Sequence, residues 1–579
     1  MYLRKIGLIK RKGMSAVASS GLLLFLSSLV AGCGSGVSPL SNSGCNSNVN
    51  SCATALDPTS RLSAQPTTIS PGQSATLSWS SKNGTSFVLE PGIGTVQSNG
   101  SITIAPKQTT TYILSVTGNG TTSKASVTVT VGTAQTAGVQ LIPGDGIQAA
   151  VNSTPPGTTF MLAPGTYRLQ SVVPKNGDVF SGENGATLNG AILIDSWEHP
   201  SSTVWAAQVS GITQEGSYRG VCDSRHPACM YPEDLFYDSK PLTRVASLSL
   251  VAPGTWYFDY STLKIYSGTD PTGHAAEISS LRAAFSGNAS NVTITGLTIE
   301  KYASIAGDGA IAGEQSNSWI VSNDLFLLNH GMGLRVGPSM QVEGSKFHDN
   351  GQMGLGGSGS HITVDDNEIY KNNYAGYEWG WEGGGDKFTH TKYLTVSNNY
   401  SHDNNGPGLW TDIDNYYTTY DGNHTRNNVG AGIQHEISYD AVITNNLIQD
   451  DGFVPNQTGM WFGGGIVISN SANVDLYGNT ITDCMNGIVG IQNVRGNDPA
   501  TGLPYTLKNL NVHNNTITQQ VDHAEGIVKA DIYDDSVYTS WGNHFQKDTY
   551  TLSNVSLKYF YWLGQDWTLG LWQEYSSEH

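Results

Sequence analysis

The sequence predicts an all-β protein in which a small β-sandwich precedes a solenoid of stacked coils. Only 13% of the residues are charged and 68 are glycine, and Gly, Asn, Thr and Ser are abundant, as is typical of strands and tight turns. Short segments between residues 61 and 132 alternate apolar and polar side chains, which indicates strands. Further along, a unit that opens with Asn recurs every 23 to 36 residues, which indicates coils that stack on one another.

The first 60 residues predict export rather than a folded domain. Basic residues precede a short apolar run, so residues 1–32 are predicted to be a signal peptide. Residues 30–33 resemble a bacterial lipobox, and Cys33 is therefore predicted to be lipidated; the alternative is an ordinary signal peptide with an incidental cysteine. Residues 33–60, rich in Ser, Asn and Gly, are predicted to be a flexible tether. The expected location is the bacterial cell envelope, lipid-anchored on the extracytoplasmic side.

The net charge of -18 restricts the partners. A surface this acidic repels nucleic acid and anionic lipid headgroups. We therefore expect no nucleic-acid partner, and contact with a membrane only through the lipid anchor.

The cysteines fit an exported protein. Cys45 and Cys52 lie seven residues apart, as do Cys222 and Cys229, and each pair predicts a local disulfide. Cys484 is left over and is expected to be a buried, inert thiol. No arrangement of Cys and His predicts a zinc site.

Residues 61–132 predict a small antiparallel sandwich. Its strands alternate apolar and polar residues and are separated by Pro-Gly and Asn-Gly turns at regular spacing. The segment resembles a bacterial immunoglobulin-like domain that lacks the disulfide between its sheets. Trp79 is expected in the core, and the domain is expected to serve as a spacer.

Residues 140–540 predict the solenoid, with an inserted β-subdomain at about 196–280 and a C-terminal cap at 541–579. The repeat begins with Asn at positions 367, 399, 423, 446, 479 and 515. Asn tolerates a left-handed turn, and its amide can hydrogen-bond to the equivalent Asn one coil away. The apolar residue after each corner Gly points inward, so alternate residues point outward. Residues 146–151 and 158–167 resemble the start of pectate-lyase-like right-handed parallel β-helices, which implies that fold.

Carboxylates are predicted to share outward columns, a column being the side chains at one register position in successive coils. Asp412 and Glu436 each follow a corner Gly by four residues and lie 24 residues apart, one uninterrupted coil, so their backbones should be about 4.8 Å apart. Glu382 and Asp414 are expected two positions further on. Such crowding raises the pKa of some carboxyl groups and leaves others low, as an acid and a nucleophile require. The alternatives are a solvated acidic face or a calcium site; no other cofactor or metal is expected.

The residues around these acids suit a carbohydrate. Carboxyl groups about 5 to 5.5 Å apart are characteristic of retaining glycoside hydrolysis. Aromatic side chains can stack on pyranose rings, and polar ones can bond hydroxyls. The predicted substrate-binding residues are Trp379, Trp381, Trp410, Trp461, Lys387, Gln434 and His435. The predicted substrate is a plant or microbial polysaccharide or its oligosaccharides.

Residues 408–438 resemble β-helix glycosidases of glycoside hydrolase family 120, which are β-xylosidases, and family 141, which has fucosidase and xylanase activities. In those families an Asp after a Gly-apolar-Trp element is followed one coil later by a Glu. The resemblance implies that Asp412 is the nucleophile and Glu436 the general acid/base. An inserted β-subdomain also occurs in the first of these families.

Two other functions use the same kind of solenoid. Polysaccharide lyases and C5-epimerases act on uronic-acid polymers and typically need calcium or a basic residue to neutralise the uronate, and a Lys or Arg to take the C5 proton. No basic column is visible between residues 316 and 470. The third alternative is a noncatalytic surface protein that binds glycans or serves in adhesion, because β-helices with immunoglobulin-like spacers also serve in attachment.

Overall fold

The computed structural model describes residues 58–69, 73–131, 138–212, 218–457, 459–461, 463–530 and 535–578. The described residues form two compact units, one within residues 1–134 and the other within residues 135–579. The predicted all-β class is confirmed. The predicted signal peptide, the lipidation site Cys33, most of the tether, and the Cys45 and Cys52 pair lie outside the described residues. Within the described ranges, no helix has the length and apolar character needed to cross a membrane.

The first unit is a β-sandwich that begins at residue 59, just before the predicted end of the tether. One sheet has three strands, Thr59–Gln65, Ala75–Lys82 and Gly100–Ile104. The other has five, Thr68–Ile69, Thr121–Val131, Thr110–Gly118, Ser86–Glu90 and Gly94–Thr95. Their inward side chains form one apolar core that includes Leu77, Leu89 and Leu114, and Trp79 packs against it.

The second unit is a solenoid whose coils contribute strands to three parallel faces. Face 1 contains Gly165–Arg168, Ala186–Asn189, Thr298–Glu300, Leu325–Leu327, Lys346–His348, Glu368–Tyr370, Tyr400–His402, His424–Arg426, Leu447–Gln449, Thr480–Thr482, Thr516–Gln519 and Thr549–Leu552. Face 2 contains Phe285–Ser286, Gly309–Ala312, Met332–Val336, Met353–Ser360, Gly384–Lys392, Leu409–Asp412, Ile433–Glu436, Ile466–Ser469, Ile488–Gln492, Glu525–Lys529 and Lys558–Trp562. Face 3 contains Val139–Leu141, Thr159–Leu162, Val179–Gly182, Thr293–Thr295, Ile320–Ser322, Gln341–Glu343, Thr363–Asp365, Thr395–Ser397, Tyr416–Asp421, Tyr439–Thr444, Ala472–Tyr477, Lys508–His513 and His544–Gln546.

Two ladders of buried asparagines join consecutive coils. In the first, each side-chain amide donates to the next Asn at 2.9 to 3.0 Å, through Asn367, Asn399, Asn423, Asn446, Asn479 and Asn515, and the ladder ends on Asp548. The second passes through Asn329, Asn350, Asn372, Asn404 and Asn428 and ends on Asp451. The predicted stacking of Asn residues is confirmed. It satisfies amide groups that burial would otherwise leave without partners.

A subdomain of two sheets interrupts the solenoid between residues 191 and 279. One sheet contains Ala191–Ile194, Ala276–Ser279, Leu235–Tyr237 and Lys240–Pro241; the other contains Glu198–Ser201, Val204–Gln208, Lys264–Ser267, Thr255–Asp259 and Thr243–Arg244, and a 3-10 turn spans Leu248–Leu250. The predicted disulfide between Cys222 and Cys229 is present. A β-bridge from Cys222 to Tyr377 holds this loop against the solenoid.

Both ends of the solenoid core are covered. At the start, the helix Ile147–Ser153 buries Ile147 and Val151. At the other end, Gln565–Thr568 pairs with the last strand of face 2, and the helix Leu569–Glu578 packs Trp572 on Trp562. A further helical turn spans Ser536–Thr539. Covering the terminal coils keeps apolar side chains and unpaired edge groups from water.

Candidate active site

The strands Leu409–Asp412 and Ile433–Glu436 lie side by side in face 2. They pair in register, so Asp412 lies directly opposite Glu436. Neighbouring strands in a parallel sheet are about 4.8 Å apart, and side chains at equal positions point to the same side. The two carboxyl groups are therefore neighbours on the outer side of the sheet.

Alternation along these strands separates a core side from an outer side. Leu409 and Ile433 belong to the solenoid core, so every second residue after them also points inward. Thr411 Oγ1 lies 2.7 Å from His435 Nδ1 and accepts a hydrogen bond from the hydroxyl of the core residue Tyr420 at 3.2 Å. The outer side carries the residues between them: Trp410, Gln434, Asp412 and Glu436.

Asp412 is buried beside a lysine. The residue is 5% exposed, and Lys387 Nζ lies 2.8 Å from its Oδ2. The same ammonium group donates to the carbonyl oxygen of Trp381 at 2.9 Å and lies 3.9 Å from the centre of the Trp410 ring. A charge is costly to bury without a partner, and Lys387 supplies the cation that pairs with the buried Asp412 side chain. Within the described chain, Asp412 Oδ1 has no hydrogen-bond partner.

Glu436 is buried beside an arginine and a glutamine. Arg495 Nη1 contacts its Oε1, and Gln434 Nε2 donates to its Oε2 at 2.8 Å. Burial, and after it the negative charge of Asp412, raises the pKa of Glu436, while Arg495 and Lys387 act in the opposite direction. The site thus combines a carboxylate held by an ammonium with a carboxyl group whose affinity for a proton is increased.

Arg495 reaches the carboxyl pair from a loop two coils further along. That loop is anchored to the solenoid at two points. The hydroxyl of Tyr505 donates to Asp414 Oδ1 at 2.7 Å, and the hydroxyl of Tyr439 donates to Asp498 Oδ2 at 3.0 Å. These anchors hold the loop that carries the guanidinium group above Glu436.

Sequence reasoning missed Arg495 because a loop residue has no register position. A signal was present. The step from Asn479 to Asn515 is 36 residues, which marks a coil with an insertion, and it contains a single arginine.

Glu382 does not lie in the outward column predicted for it, two positions beyond Asp412 and shared with Asp414. The prediction took Gly376 as the corner of this coil, whereas its strand is Gly384–Lys392, and Trp379–Glu382 is a single helical turn. The predicted column is therefore wrong for Glu382. Trp379 and Trp381, which were predicted to stack on sugar rings, lie in the same helical turn and not on the strand. Because Phe388 pairs with Thr411, Lys387 takes the position next to Trp410 instead.

Asp414 is also outside the predicted column. The strand ends at Asp412, and Ile413 and Asp414 have φ angles of 62° and 55°, in the left-handed region. Asn415, rather than Asp414, aligns with Ser438, whose hydroxyl accepts a hydrogen bond from Asn415 N at 3.2 Å. Because of this shift of one residue, the Asp414 side chain contacts Tyr505. Asp414 therefore anchors the loop that carries Arg495 and is not part of the carboxyl pair.

His435 lies on the core side, which contradicts its predicted contact with sugar hydroxyls. It is completely buried, and burial lowers its pKa to about 3, so the imidazole is neutral at pH 7. Its ring is held by Thr411 at 2.7 Å. The strand parity that points Ile433 inward also points His435 inward.

The aromatic residues are less open than the sequence predicted. Trp410 is 2% exposed, because Lys387 lies over its ring. Trp461 is 40% exposed in a loop beyond the sheet. Beyond Gln434 the outer side becomes apolar, with a cluster formed by Ala431, Met460, Val467, Val489 and Val528.

A cavity of about 100 Å³ lies between the inserted subdomain and the solenoid, and its lining includes neither Asp412 nor Glu436. Its lining includes His226, Arg244, Asp234, His330 and Tyr374. Asp234 Oδ2 accepts the hydroxyl of Tyr374 at 2.7 Å and lies 2.9 Å from His330 Nδ1. The volume admits several waters or one small polar ligand. Sequence reasoning missed the cavity because its lining comes from separate segments.

A chain of contacts links this cavity to the carboxyl pair. His330 Nε2 lies 3.0 Å from the hydroxyl of Tyr377, and the rings of Tyr377 and Trp381 are 6.0 Å apart. The carbonyl of Trp381 then accepts from Lys387, which holds Asp412. Among the described residues, no three His, Cys, Asp or Glu side chains converge as a metal site.

Comparison with known proteins agrees on the architecture. A family model described as right handed beta helix region matches residues 283–517. The solenoid is a right-handed parallel β-helix. Similar solved structures include XylC in complex with xylose, with 13% identity over 70% of this chain and 82% of that chain and a TM-score of 0.48. The A-module of the mannuronan C-5 epimerase AlgE4 from Azotobacter vinelandii has 14% identity over 73% of this chain and 93% of that chain, with a TM-score of 0.38.

The surface adhesin PfbA of Streptococcus pneumoniae has 12% identity over 75% of this chain and 95% of that chain, with a TM-score of 0.31. At these identities and TM-scores, no property of these proteins is transferred to this chain. No curated protein matches the chain.

Proposed function

We propose that the protein is a carbohydrate-active enzyme of the bacterial cell envelope, and specifically a retaining glycoside hydrolase. The observation that carries this proposal is the register pair of Asp412 and Glu436, in which Lys387 forms an ion pair with Asp412 while the pKa of Glu436 is raised. Strands about 4.8 Å apart can bring two carboxyl groups to the separation of about 5 to 5.5 Å that retaining hydrolysis uses. A wider spacing leaves room for a water and favours inversion.

In the proposed first step, Asp412 attacks the anomeric carbon and the bond from that carbon to the leaving oxygen breaks. Glu436 gives its proton to the leaving oxygen. Lys387 holds Asp412 Oδ2, so Oδ1 is the oxygen that attacks. In the second step, Glu436 takes a proton from water, the water oxygen bonds to the anomeric carbon, and Asp412 is released.

The proposed substrate is a plant or microbial polysaccharide or an oligosaccharide derived from one. Lipidation at Cys33 is proposed to anchor the protein on the extracytoplasmic side of a bacterial membrane. The proposal includes no cofactor, no nucleic-acid partner, and no membrane contact other than the lipid.

A panel of aryl glycosides and polysaccharides tests this function. We expect hydrolysis of one class of glycoside, and proton NMR of the first product formed should show the anomeric configuration of the substrate. Glu436→Gln should remove this turnover. Products of inverted configuration would contradict the nucleophilic role of Asp412. Glycan binding that survives Asp412→Asn, without turnover by the unsubstituted protein, would favour the noncatalytic alternative.

A lyase or C5-epimerase acting on uronic-acid polymers is the second candidate. Two observations favour it: Lys387 lies against Asp412, and Arg495 lies against Glu436. The site therefore has basic groups, although no column of basic residues is visible between residues 316 and 470 of the sequence. In such reactions a base removes the proton at C5, and in a lyase the oxygen at C4 then leaves. Release of unsaturated, ultraviolet-absorbing products from a uronan would decide for the lyase.

A further inference from the structure

The proposed site carries a net positive charge when Glu436 is protonated, as the first step requires. Lys387 and Arg495 bring two cations, and Asp412 and Glu436 bring two carboxyl groups. Glu436 must hold a proton to act as an acid, and then only Asp412 balances the two cations. The side chains of Lys387, Asp412 and Glu436 are 6 to 7% exposed, so an unbalanced charge among them is costly.

Arg495 is the cation that loses its partner when Glu436 is protonated. Lys387 keeps Asp412 and the carbonyl of Trp381. The ion pair that the described chain shows for Arg495 is with Glu436. The Arg495 side chain is 34% exposed and lies in a loop, so it can turn to a ligand without moving the sheet.

We propose that Arg495 is the receptor for a carboxylate of the substrate, so that the site takes glycosides of uronic acids. A guanidinium group pairs with a carboxylate through two parallel hydrogen bonds. The substrate carboxylate replaces Glu436 as the partner of Arg495 and leaves Glu436 its proton. This inference rests on the proposed function for the role of Glu436 as an acid, but binding of the uronate needs no turnover.

The charges around the site support a local receptor. The chain carries a net charge of -18, which repels an anionic polymer unless a local cation attracts it. In the coil after Glu436, the column positions of Gln434 and Glu436 are taken by Val467 and Ser469, which carry no charge. Arg495 therefore supplies the positive charge on this side of the pair, and Lys387 on the other.

Calorimetric titration tests the receptor. Uronic-acid oligosaccharides and their neutral counterparts are titrated into the full chain carrying Glu436→Gln, with and without Arg495→Gln. We expect the Glu436→Gln variant to bind a uronic-acid oligosaccharide and Arg495→Gln to weaken that binding about 10- to 100-fold, whereas neutral sugars change less than about 3-fold. Arg495→Lys, which keeps the charge but not the planar fork, should lie between them.

The matched control is Arg426→Gln, an exposed arginine of face 1 whose Nε lies 3.4 Å from Asp450 Oδ2. This variant should bind the uronate as its parent does. The proposal would be wrong if Arg495→Gln left the affinity for the uronate unchanged, or if it lowered the affinity for neutral sugars by the same factor. If Arg495 increased the affinity for sulfated sugars by the same factor, the assignment of its ligand to a carboxylate would be wrong.

The two proposals fail in different ways. Arg495-dependent uronate binding without hydrolysis of any glycoside would sustain the receptor and overturn the hydrolase. Hydrolysis of neutral and uronic glycosides that Arg495→Gln lowers to the same extent would sustain the hydrolase and overturn the receptor.

Discussion

Two sets of acids in the solenoid have different surroundings: one set ends the Asn ladders inside the coil, and the other lies on its outer side. Asp451 and Asp548 end the Asn ladders inside the coil, and burial raises their pKa to about 7 and about 6. Their partners are neutral donors; the amide of Asn428, for example, donates to Asp451 at 2.9 Å. These acids serve as hydrogen-bond acceptors, and Asp451 is partly protonated near pH 7.

The outer acids, Asp412 and Glu436, are 5% and 6% exposed, and each touches a cation. Asp412 has Lys387 and Glu436 has Arg495. Burial favours the neutral form of an acid, and a neighbouring cation favours the charged form. The two sets therefore differ in the neighbouring cation rather than in the depth of burial. The acids with a cation are the proposed reacting groups, and the acids without one accept the last hydrogen bond of an Asn ladder.

Exchange of the outer acids should have the largest effect. Asp412→Asn and Glu436→Gln should each lower kcat at least about 10³-fold on the glycoside that the panel identifies, because each removes a reacting group. Asp451→Asn, an inner acid changed in the same way, should stay within about 3-fold. Steady-state kinetics measure all three, and an equal loss from Asp451→Asn would break the distinction between the two sets.

Removal of the cation should cost stability. Lys387→Met leaves Asp412 buried without its partner, and we expect a loss of about 3 kcal/mol in the free energy of unfolding at pH 7. Denaturant unfolding measures it. Adding Asp412→Asn to Lys387→Met should restore most of the loss, because no unpaired charge remains. Additive losses in the double variant would show that Lys387 acts through packing alone.

The inner acid should make stability depend on pH. A raised pKa means that the protonated Asp451 stabilises the fold fully below its unfolded pKa of about 3.8, and that this contribution is lost as the pH rises through about 7. Asp451→Asn should therefore stabilise the protein on the order of 1–3 kcal/mol at pH 8 and less at pH 5. Unfolding by urea at both pH values measures the difference, and an equal effect at both would contradict the protonated state.

The smallest effect should come from neighbouring residues on opposite sides of one strand. His435→Leu on the core side should cost about 1 kcal/mol of stability, since Thr411 loses a partner, and leave KM within about 2-fold. Gln434→Leu, next to it on the outer side, should change kcat or KM more than stability, because it removes a donor to Glu436. Kinetics and unfolding of both variants test this, and a larger kinetic effect from His435→Leu would reverse the assignment of sides.

The sequence was sufficient where one coil follows another without insertion. Asp412 and Glu436 are a single uninterrupted period apart, so their pairing follows from counting. The Asn ladder was predicted even across longer coils, because each Asn opens the repeat whatever the length of the coil before it. Strand parity also determines the inward direction of His435, which the prediction of sugar contact overlooked.

The remaining site residues depend on local geometry that no period encodes. Two glycines, Gly376 and Gly384, compete as the corner of one coil. The choice of Gly384 moves Glu382 out of its predicted column and brings Lys387 to the position next to Trp410. A left-handed pair of residues shifted Asp414 by one position. Arg495 comes from an inserted loop, and its position depends on tertiary contacts of Tyr505 and Tyr439.

Trapping of the glycosyl-enzyme tests the central claim most directly. A 2-deoxy-2-fluoro glycoside with a good leaving group, made from the sugar that the panel identifies, slows the second step, so the intermediate accumulates. Mass spectrometry of proteolytic peptides should then find one fluoroglycosyl group, attached to Asp412. Attachment to another residue, or turnover of the natural glycoside with no covalent adduct under these conditions, would contradict Asp412 as the nucleophile.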